Sequence, residues 1–314
     1  DLEIIKQDWQ TIIDKIKAGE AHNISEGDTM YLAACTKGAN AKSIRKQPFS
    51  NIPAKQRAFS LKSSYMSAFA RRVIDRQLIP SLFNVDELKS KTTLQLLQER
   101  FAPYIGKRVS EIAKLVDIPV TKNKAFNANL ISAVLGVKGT KLESLREFSK
   151  ANIKFKTIRL EPTGIPKEHM SFEQIDFHRW INDAWEDSQL YEKFEYTKYL
   201  FVVFQYDETE KENKNREPYL KGIMLWNMPE VVIEHELKEL WKTTKAILEE
   251  GVQLTPVRNG VSNNLPGASF NGICHIRLKA RDGKDQVELP DGQYITKQCY
   301  WLNREYIAEI VKEL

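Results

Sequence analysis

The stretch Leu142 to Pro162 reads LESLREFSKANIKFKTIRLEP, and its spacing sets how the rest of the chain is interpreted. Ile153, Lys154, Phe155 and Lys156 alternate apolar with polar, the period of a half-buried strand. Residues two apart on a strand project from one face, so Lys154 and Lys156 point the same way. A carboxylate, Glu147, lies upstream. This is the layout of a metal-dependent phosphodiesterase centre. In such a centre two acids clamp a divalent cation against a phosphate, and a lysine two residues beyond the second acid orients the attacking water. Here Lys154 stands where the second acid is needed. An ammonium cannot ligate a cation, and two like charges ~4 Å apart repel by several kcal/mol at an effective dielectric of about 20. The reading is a centre that has lost its chemistry. The bland alternative is a solvated strand face, with Glu147 on a helix surface.

A chain of 314 residues with 42% hydrophobic and 28% charged residues is an ordinary globular composition, long enough for one large or two modest domains. The net charge of +5 leans basic, so the distribution of charge matters more than its total. Cys35, Cys274 and Cys299 are too few and too scattered for a disulfide framework or a zinc site, which points to a reduced, cytoplasmic setting. The longest apolar run, Tyr199 to Phe204, is far short of a membrane span. The first residue is Asp1, not methionine, as expected of a fragment or a processed product.

From the start of the chain, Trp9 to Ala18 has the period of an amphipathic helix, with Trp9, Ile12, Ile13 and Ile16 on one face and Gly19 closing it. Tyr31 to Cys35 is a short strand. From Thr29 to Ile74 there is no Asp or Glu, yet Lys37, Lys42, Arg45, Lys46, Lys55, Arg57, Lys62, Arg71 and Arg72 are basic. Signs normally mix on a solvated face, so this run is read as a polyanion contact that neutralises phosphates. Ser63 to Ile79 is expected as a helix stopped by Pro80, followed by a linker from Ser81 to Thr93. Further helices are expected over Thr93 to Ala102, Val109 to Val116 with Ser110 as a possible N-cap, and Asn127 to Leu135. Tyr199 to Phe204 reads as a central strand. Asp207 to Pro218 reads as a charged loop, and Glu230 to Glu250 as a long helix behind Pro229. The triplets Glu87-Leu88-Lys89 and Glu236-Leu237-Lys238 also spell E-x-K, but in helical or linker context, where residues two apart diverge. The five histidines show no ligand spacing, and Phe177, Trp180 and Trp185 are read as packing residues.

The last third echoes the first. Trp241 precedes Gly251 as Trp9 precedes Gly19; Ile276 to Lys279 resembles Tyr31 to Lys37; and Tyr294-Ile-Thr-Lys297-Gln-Cys-Tyr300 with its terminal helix resembles Phe59-Ser-Leu-Lys62-Ser-Ser-Tyr65 with its own. Repeats at so long a separation indicate duplicated domains. Residues 1–80 are therefore expected to be the end of a first domain plus a linker, and 81–314 a complete second copy.

These segments resemble the MutH family, and their pairing resembles the GATC-cleaving type II restriction endonucleases of the Sau-three-A type, in which two MutH-like domains follow one another. The resemblance covers nearly the whole chain. It implies an α/β (mixed α+β) fold of the PD-(D/E)xK nuclease kind, a mixed sheet flanked by helices, with two lobes around a DNA cleft. It also assigns positions. The acidic residue of the preceding helix becomes Ser132, the first metal-binding Asp becomes Glu147, the Glu becomes Lys154, and the Lys is kept as Lys156. Arg277 and Lys279 match the arm that reads GATC, and Tyr294 matches a tyrosine of the recognition face. In the partial first copy Lys37 matches the arm lysine, whose neighbouring arginine has become Cys35 or an adjacent residue. Lys62 and Lys297 occupy corresponding places in the echo and complete the expected DNA contacts.

The resulting expectation is the C-terminal part of a bacterial cytoplasmic restriction enzyme: a pseudo-nuclease that holds GATC-containing duplex DNA as an allosteric effector. It needs no cofactor itself, and its partner is a catalytic N-terminal MutH-like domain of the same protein that uses Mg2+. Two alternatives stand beside it. One is an active Mg2+-dependent nuclease that rebuilds a metal site from Glu147, Lys156 and Glu161. The other is a structural or dimerisation module whose basic arm is unused, an exposed strand edge guarded by charge.

Overall fold

A computed structural model describes residues 1–38, 43–74, 80–123, 125–258 and 260–314. Helix α1 (Leu2–Lys17) is followed by β1 (Leu32–Thr36), the short pair β2 (Ile44–Arg45) and β3 (Ala54–Lys55), β4 (Arg57–Leu61) and α2 (Ser63–Ile74). Helices α3 (Val85–Ser90), α4 (Thr93–Phe101), α5 (Val109–Leu115), α6 (Phe126–Val134) and α7 (Arg146–Ala151) lead into β5 (Ile153–Leu160). Then come β6 (Met170–Gln174), α8 (Phe177–Asn182), α9 (Gln189–Glu195), β7 (Lys198–Gln205) and β8 (Tyr219–Trp226). Helix α10 (Glu230–Val232), a π turn (Ile233–Leu237) and α11 (Lys238–Glu250) run end to end as the expected long helix. Strands β9 (Leu254–Val257), β10 (Gly260–Asn263), β11 (Cys274–Leu278), β12 (Gln286–Glu288), β13 (Tyr294–Thr296) and β14 (Gln298–Leu302) precede α12 (Arg304–Ile310). Both E-x-K decoys are helical, in α3 and at the π turn.

The described residues form two compact units, one of Asp1–Pro162, Glu195–Glu230 and Leu314, the other of Thr163–Phe194 and Val231–Glu313. In the first unit β7 is the middle of a three-stranded mixed sheet. It runs parallel to β5, with Lys154 beside Tyr199 and Lys156 beside Phe201, and antiparallel to β8. Its apolar run is buried from Tyr199 to Phe204, as a strand covered on both faces requires. Leu200, Val202 and Phe204 share a core with Leu97, Phe101, Leu130 and Phe148 of the helices. On the other face the rings of Tyr199, Phe201 and Trp226 pack together with centroids 5.3–5.9 Å apart. The start of β5 is fixed by Asn152, whose left-handed backbone (φ 51°) ends α7. Asparagine tolerates that conformation, and here its amide donates to Tyr196 O at 2.8 Å.

Several local expectations are corrected. The buried stripe of α1 is Ile4, Asp8 and Ile12, whereas Trp9 is exposed. Asp8 lies inside because its carboxylate accepts the N–H groups of Met30, Tyr31 and Leu32 at 2.6–2.9 Å, satisfying the chain as it enters β1. Ser110 does not cap α5: Arg108 holds that place, and the Ser110 N–H and hydroxyl bond to Glu217. The helix expected over 63–79 is described as far as Ile74; residues 75–79 lie outside the described residues. Nor is 81–93 a linker. Leu82 and Phe83 are buried in one core with Tyr31, Tyr65 and Phe148, and α3 occupies part of the stretch.

In the second unit β14 lies between β11 and β6 in an antiparallel sheet. Phe177, Trp180 and Trp185 are buried as packing residues, with the Trp180 indole donating to Trp241 O at 3.2 Å.

The echoed segments fall on similar orders of elements: α1, β1, hairpin β2–β3, β4 and α2 in the first unit; α11, an added hairpin β9–β10, β11, hairpin β12–β13, β14 and α12 in the second. Gly19 and Gly251, which follow the two helices, have φ of 77° and 93°, a region glycine enters without a Cβ clash. Register fixes the correspondence. Lys37 N–H donates to Gln56 O, and Lys279 N–H donates to Lys297 O, each just past its strand pair. Counting from there, Lys37 corresponds to Lys279, Cys35 to Arg277, Phe59 to Tyr300, Ser60 to Trp301 and Lys62 to Asn303. The expected match of Lys62 with Lys297 is thus corrected: Gln56 is the counterpart of Lys297.

Candidate nucleic-acid interface

Alternation along β11 turns His275, Arg277 and Lys279 to one face, and β14 supplies Trp301 to it. Arg277 and Lys279 are exposed. The guanidinium of Arg277 lies 5.6 Å and the ammonium of Lys279 5.9 Å from the centre of the Trp301 ring. The indole N–H donates to Arg277 O at 3.1 Å, and Lys279 Nζ donates to Ser171 Oγ of β6 at 2.6 Å. Three strands thus build one basic, aromatic surface on which Arg277 and Lys279 are exposed. Trp301 was not singled out in the sequence. Its signal is the Cys299-Tyr300-Trp301 alternation, legible only once β14 is known to lie against β11.

The remaining predicted contacts divide. Tyr294 is exposed, with its hydroxyl against Glu288 at 3.2 Å. Lys297 pairs with Asp285 at 2.7 Å and holds that carboxyl below its ordinary range. Lys37 is exposed just beyond β1. Lys62 is a correction: it is buried, its ammonium donates to Thr29 O at 2.6 Å, and burial pushes its pKa down to about 8.

The wider basic run is thinned in the same way. Lys55 pairs with Glu230 at 2.6 Å, and Arg57 lies against Glu195 and Glu230 at 3.5 and 3.3 Å. Burial, together with the charge of Glu230, raises the Glu195 pKa well above the usual carboxylate range. Acids distant in sequence therefore engage two of the cations. Lys37, Arg45, Lys46, Arg71 and Arg72 remain exposed, and Lys42 lies outside the described residues.

At the positions expected for a metal centre, Lys154 and Lys156 are half-buried on one face of β5. Glu147 does not turn outward. It is fully buried and accepts from Ser81 Oγ at 2.5 Å and Leu82 N at 2.9 Å, fastening the start of the 80s segment to α7. Ser132 is buried, and its hydroxyl donates to Ala128 O or Thr140 O, as a helical serine often does. Glu161 is held bidentate by Arg216 at 2.5 and 2.7 Å. Among the described residues no three His, Cys, Asp or Glu side chains lie close enough to hold a metal ion.

Residues 139–239, which carry β5, β7 and β8, match the family of the DNA mismatch repair enzyme MutH. Over an alignment of 353 residues the chain is 35% identical to the type II restriction enzyme Sau3AI of Staphylococcus aureus, and the alignment takes in all of this chain and 71% of the relative. The chain belongs to the MutH-like family of Sau3AI-type restriction enzymes. Membership in the MutH-like family implies a PD-(D/E)xK-like fold, and the mixed sheet with flanking helices agrees with it. The Mg2+ ion expected for the parent enzyme does not fit the residues present here. Two ammonium groups occupy the strand face, and both candidate carboxylates, Glu147 and Glu161, are already engaged. Among the described residues, no helix is long and apolar enough to cross a membrane.

Proposed function

We propose that this chain is the non-cleaving, DNA-holding part of a type II restriction enzyme and recognises GATC in duplex DNA. The observation that carries the reading is the pair Arg277 and Lys279, held outward over Trp301 in a chain whose metal-site positions are occupied by Lys154 and an internally bonded Glu147. An arginine fork can donate two bonds to guanine O6 and N7 in the major groove. Holding a second GATC raises the local concentration of DNA at a catalytic copy and biases that copy's state through linkage.

In this reading residues 1–80 end a first MutH-like domain and 81–314 form the second. The repeated helix-strand-hairpin-strand-helix order supports it. The partner is the catalytic N-terminal MutH-like domain of the same polypeptide, which supplies the Mg2+ site, and the setting is the bacterial cytoplasm.

The test is a gel shift with GATC and scrambled duplexes at two salt concentrations, alongside supercoiled plasmid incubated with Mg2+. The expected result is salt-sensitive preference for GATC with the plasmid intact. Equal, salt-insensitive binding to both duplexes would sink the recognition role, and nicking at GATC would restore the nuclease reading.

A further inference from the structure

Arg277 and Lys279 are the groups expected to meet DNA, but the structure gives them a common support. The Trp301 ring lies beneath both cations, its N–H grips the Arg277 carbonyl, and Lys279 is tied to Ser171 on β6 beyond it. A guanidinium lying on an aromatic face keeps its edge donors free, whereas an unsupported arginine samples many rotamers and loses that freedom on binding.

The first unit offers an internal control. Where the register places Arg277 and Trp301 in the second unit, it places Cys35 and Ser60 in the first, so the arginine and its support are absent together while the lysine, Lys37, remains.

We propose that Trp301 is a positioning residue that sets the base selectivity of the arm by pre-orienting Arg277. This rests on the DNA-binding reading of the previous subsection. Trp301 contacts the reading side chains and leaves phosphate contacts to other cations. Its removal therefore erodes discrimination between sequences while the salt dependence, which counts neutralised phosphates, stays unchanged.

The experiment measures binding of GATC and scrambled duplexes by fluorescence anisotropy for the full chain and for Trp301→Leu, Trp301→Phe, Arg277→Ala and the double variant Arg277→Ala/Trp301→Leu, with thermal midpoints taken in parallel. Trp301→Leu is expected to lower the GATC-to-scrambled affinity ratio about fivefold, the scale of an exposed cation–π contact, with an unchanged salt slope. Trp301→Phe keeps a ring face and restores most of that ratio. The double variant discriminates no worse than Arg277→Ala alone, since the support matters only through the arginine.

Two results overturn the proposal with the DNA-binding reading intact. One is wild-type discrimination in Trp301→Leu. The other is an equal loss in the Phe and Leu variants that tracks a fall in thermal midpoint. A wild-type chain that does not distinguish the duplexes removes the DNA-binding reading, and this proposal falls with it.

Discussion

The sheet of β1 and β4 and the sheet of β11, β14 and β6 follow one plan, but they meet water differently. Phe59 is 51% exposed and Leu61 37%, whereas Tyr300 and Leu302 at the same register are 0% exposed. The difference is the third strand. In the second unit β6 pairs with β14 and lays Phe172 against Tyr300 at 5.9 Å, with Phe194 of α9 at 6.0 Å. Among the described residues β4 pairs only with β1, and Met66, Phe69 and Val73 of α2, the helix that follows it in sequence, are exposed. The arms diverge as well, Cys35 and Ser60 against Arg277 and Trp301. The second unit covers its strand pair and places Arg277 and Trp301 on it; among the described residues the first unit does neither, on the same backbone plan.

The largest effect that sharpens this contrast is on stability. Tyr300→Ala empties a packed site and is expected to cost about 3–5 kcal/mol, whereas Phe59→Ala removes an exposed ring and should stay within about 0.5 kcal/mol. Chemical denaturation of the two variants checks this, and comparable losses would show that β4 is covered after all.

A second contrast concerns acid. His275 is buried, its ring bonded to Asn303, and its counterpart by register in the first unit is Ala33. Burial, opposed by the Asn303 bond and aided by the charges of His169 and Arg277, pushes its pKa from 6.5 down to about 4. Between those values the unfolded side chain binds a proton that the folded one refuses. Stability therefore falls as pH drops from 6.5 to 4, by at most about 1.4 kcal/mol per pH unit. His275→Gln should flatten that limb of a melting-temperature-against-pH curve; an unchanged limb would assign it to other groups.

The smallest effects separate the arms on DNA. Arg277→Ala should cost about 1–3 kcal/mol on GATC and blur base preference. Lys37→Ala should weaken GATC and scrambled duplexes alike and reduce the salt slope by about one. Titrations in which the two substitutions behave identically would erase the distinction.

Features governed by neighbours in sequence were legible before the structure. The apolar run of β7, the alternation in β5, the glycine ends of α1 and α11 and the packing role of Trp180 all follow from local period. What escaped was polar burial. Asp8 lies inside because of backbone donors more than twenty positions away, and Glu147 because of Leu82, 65 positions away. Lys55 and Arg57 look like a phosphate-binding run until Glu195 and Glu230 fold against them. A charged residue reads as surface until its partner is known, and the partner is set by topology. Trp301 was missed for the same reason, since its role exists only across the strand pair.

The most direct measurement is an anisotropy titration of the chain with GATC and scrambled duplexes in the presence of Mg2+, with the recovered strands run on a denaturing gel. Selective, salt-sensitive binding to GATC with both strands intact is the predicted result. Cleavage at GATC, or affinity that ignores the sequence, would contradict it.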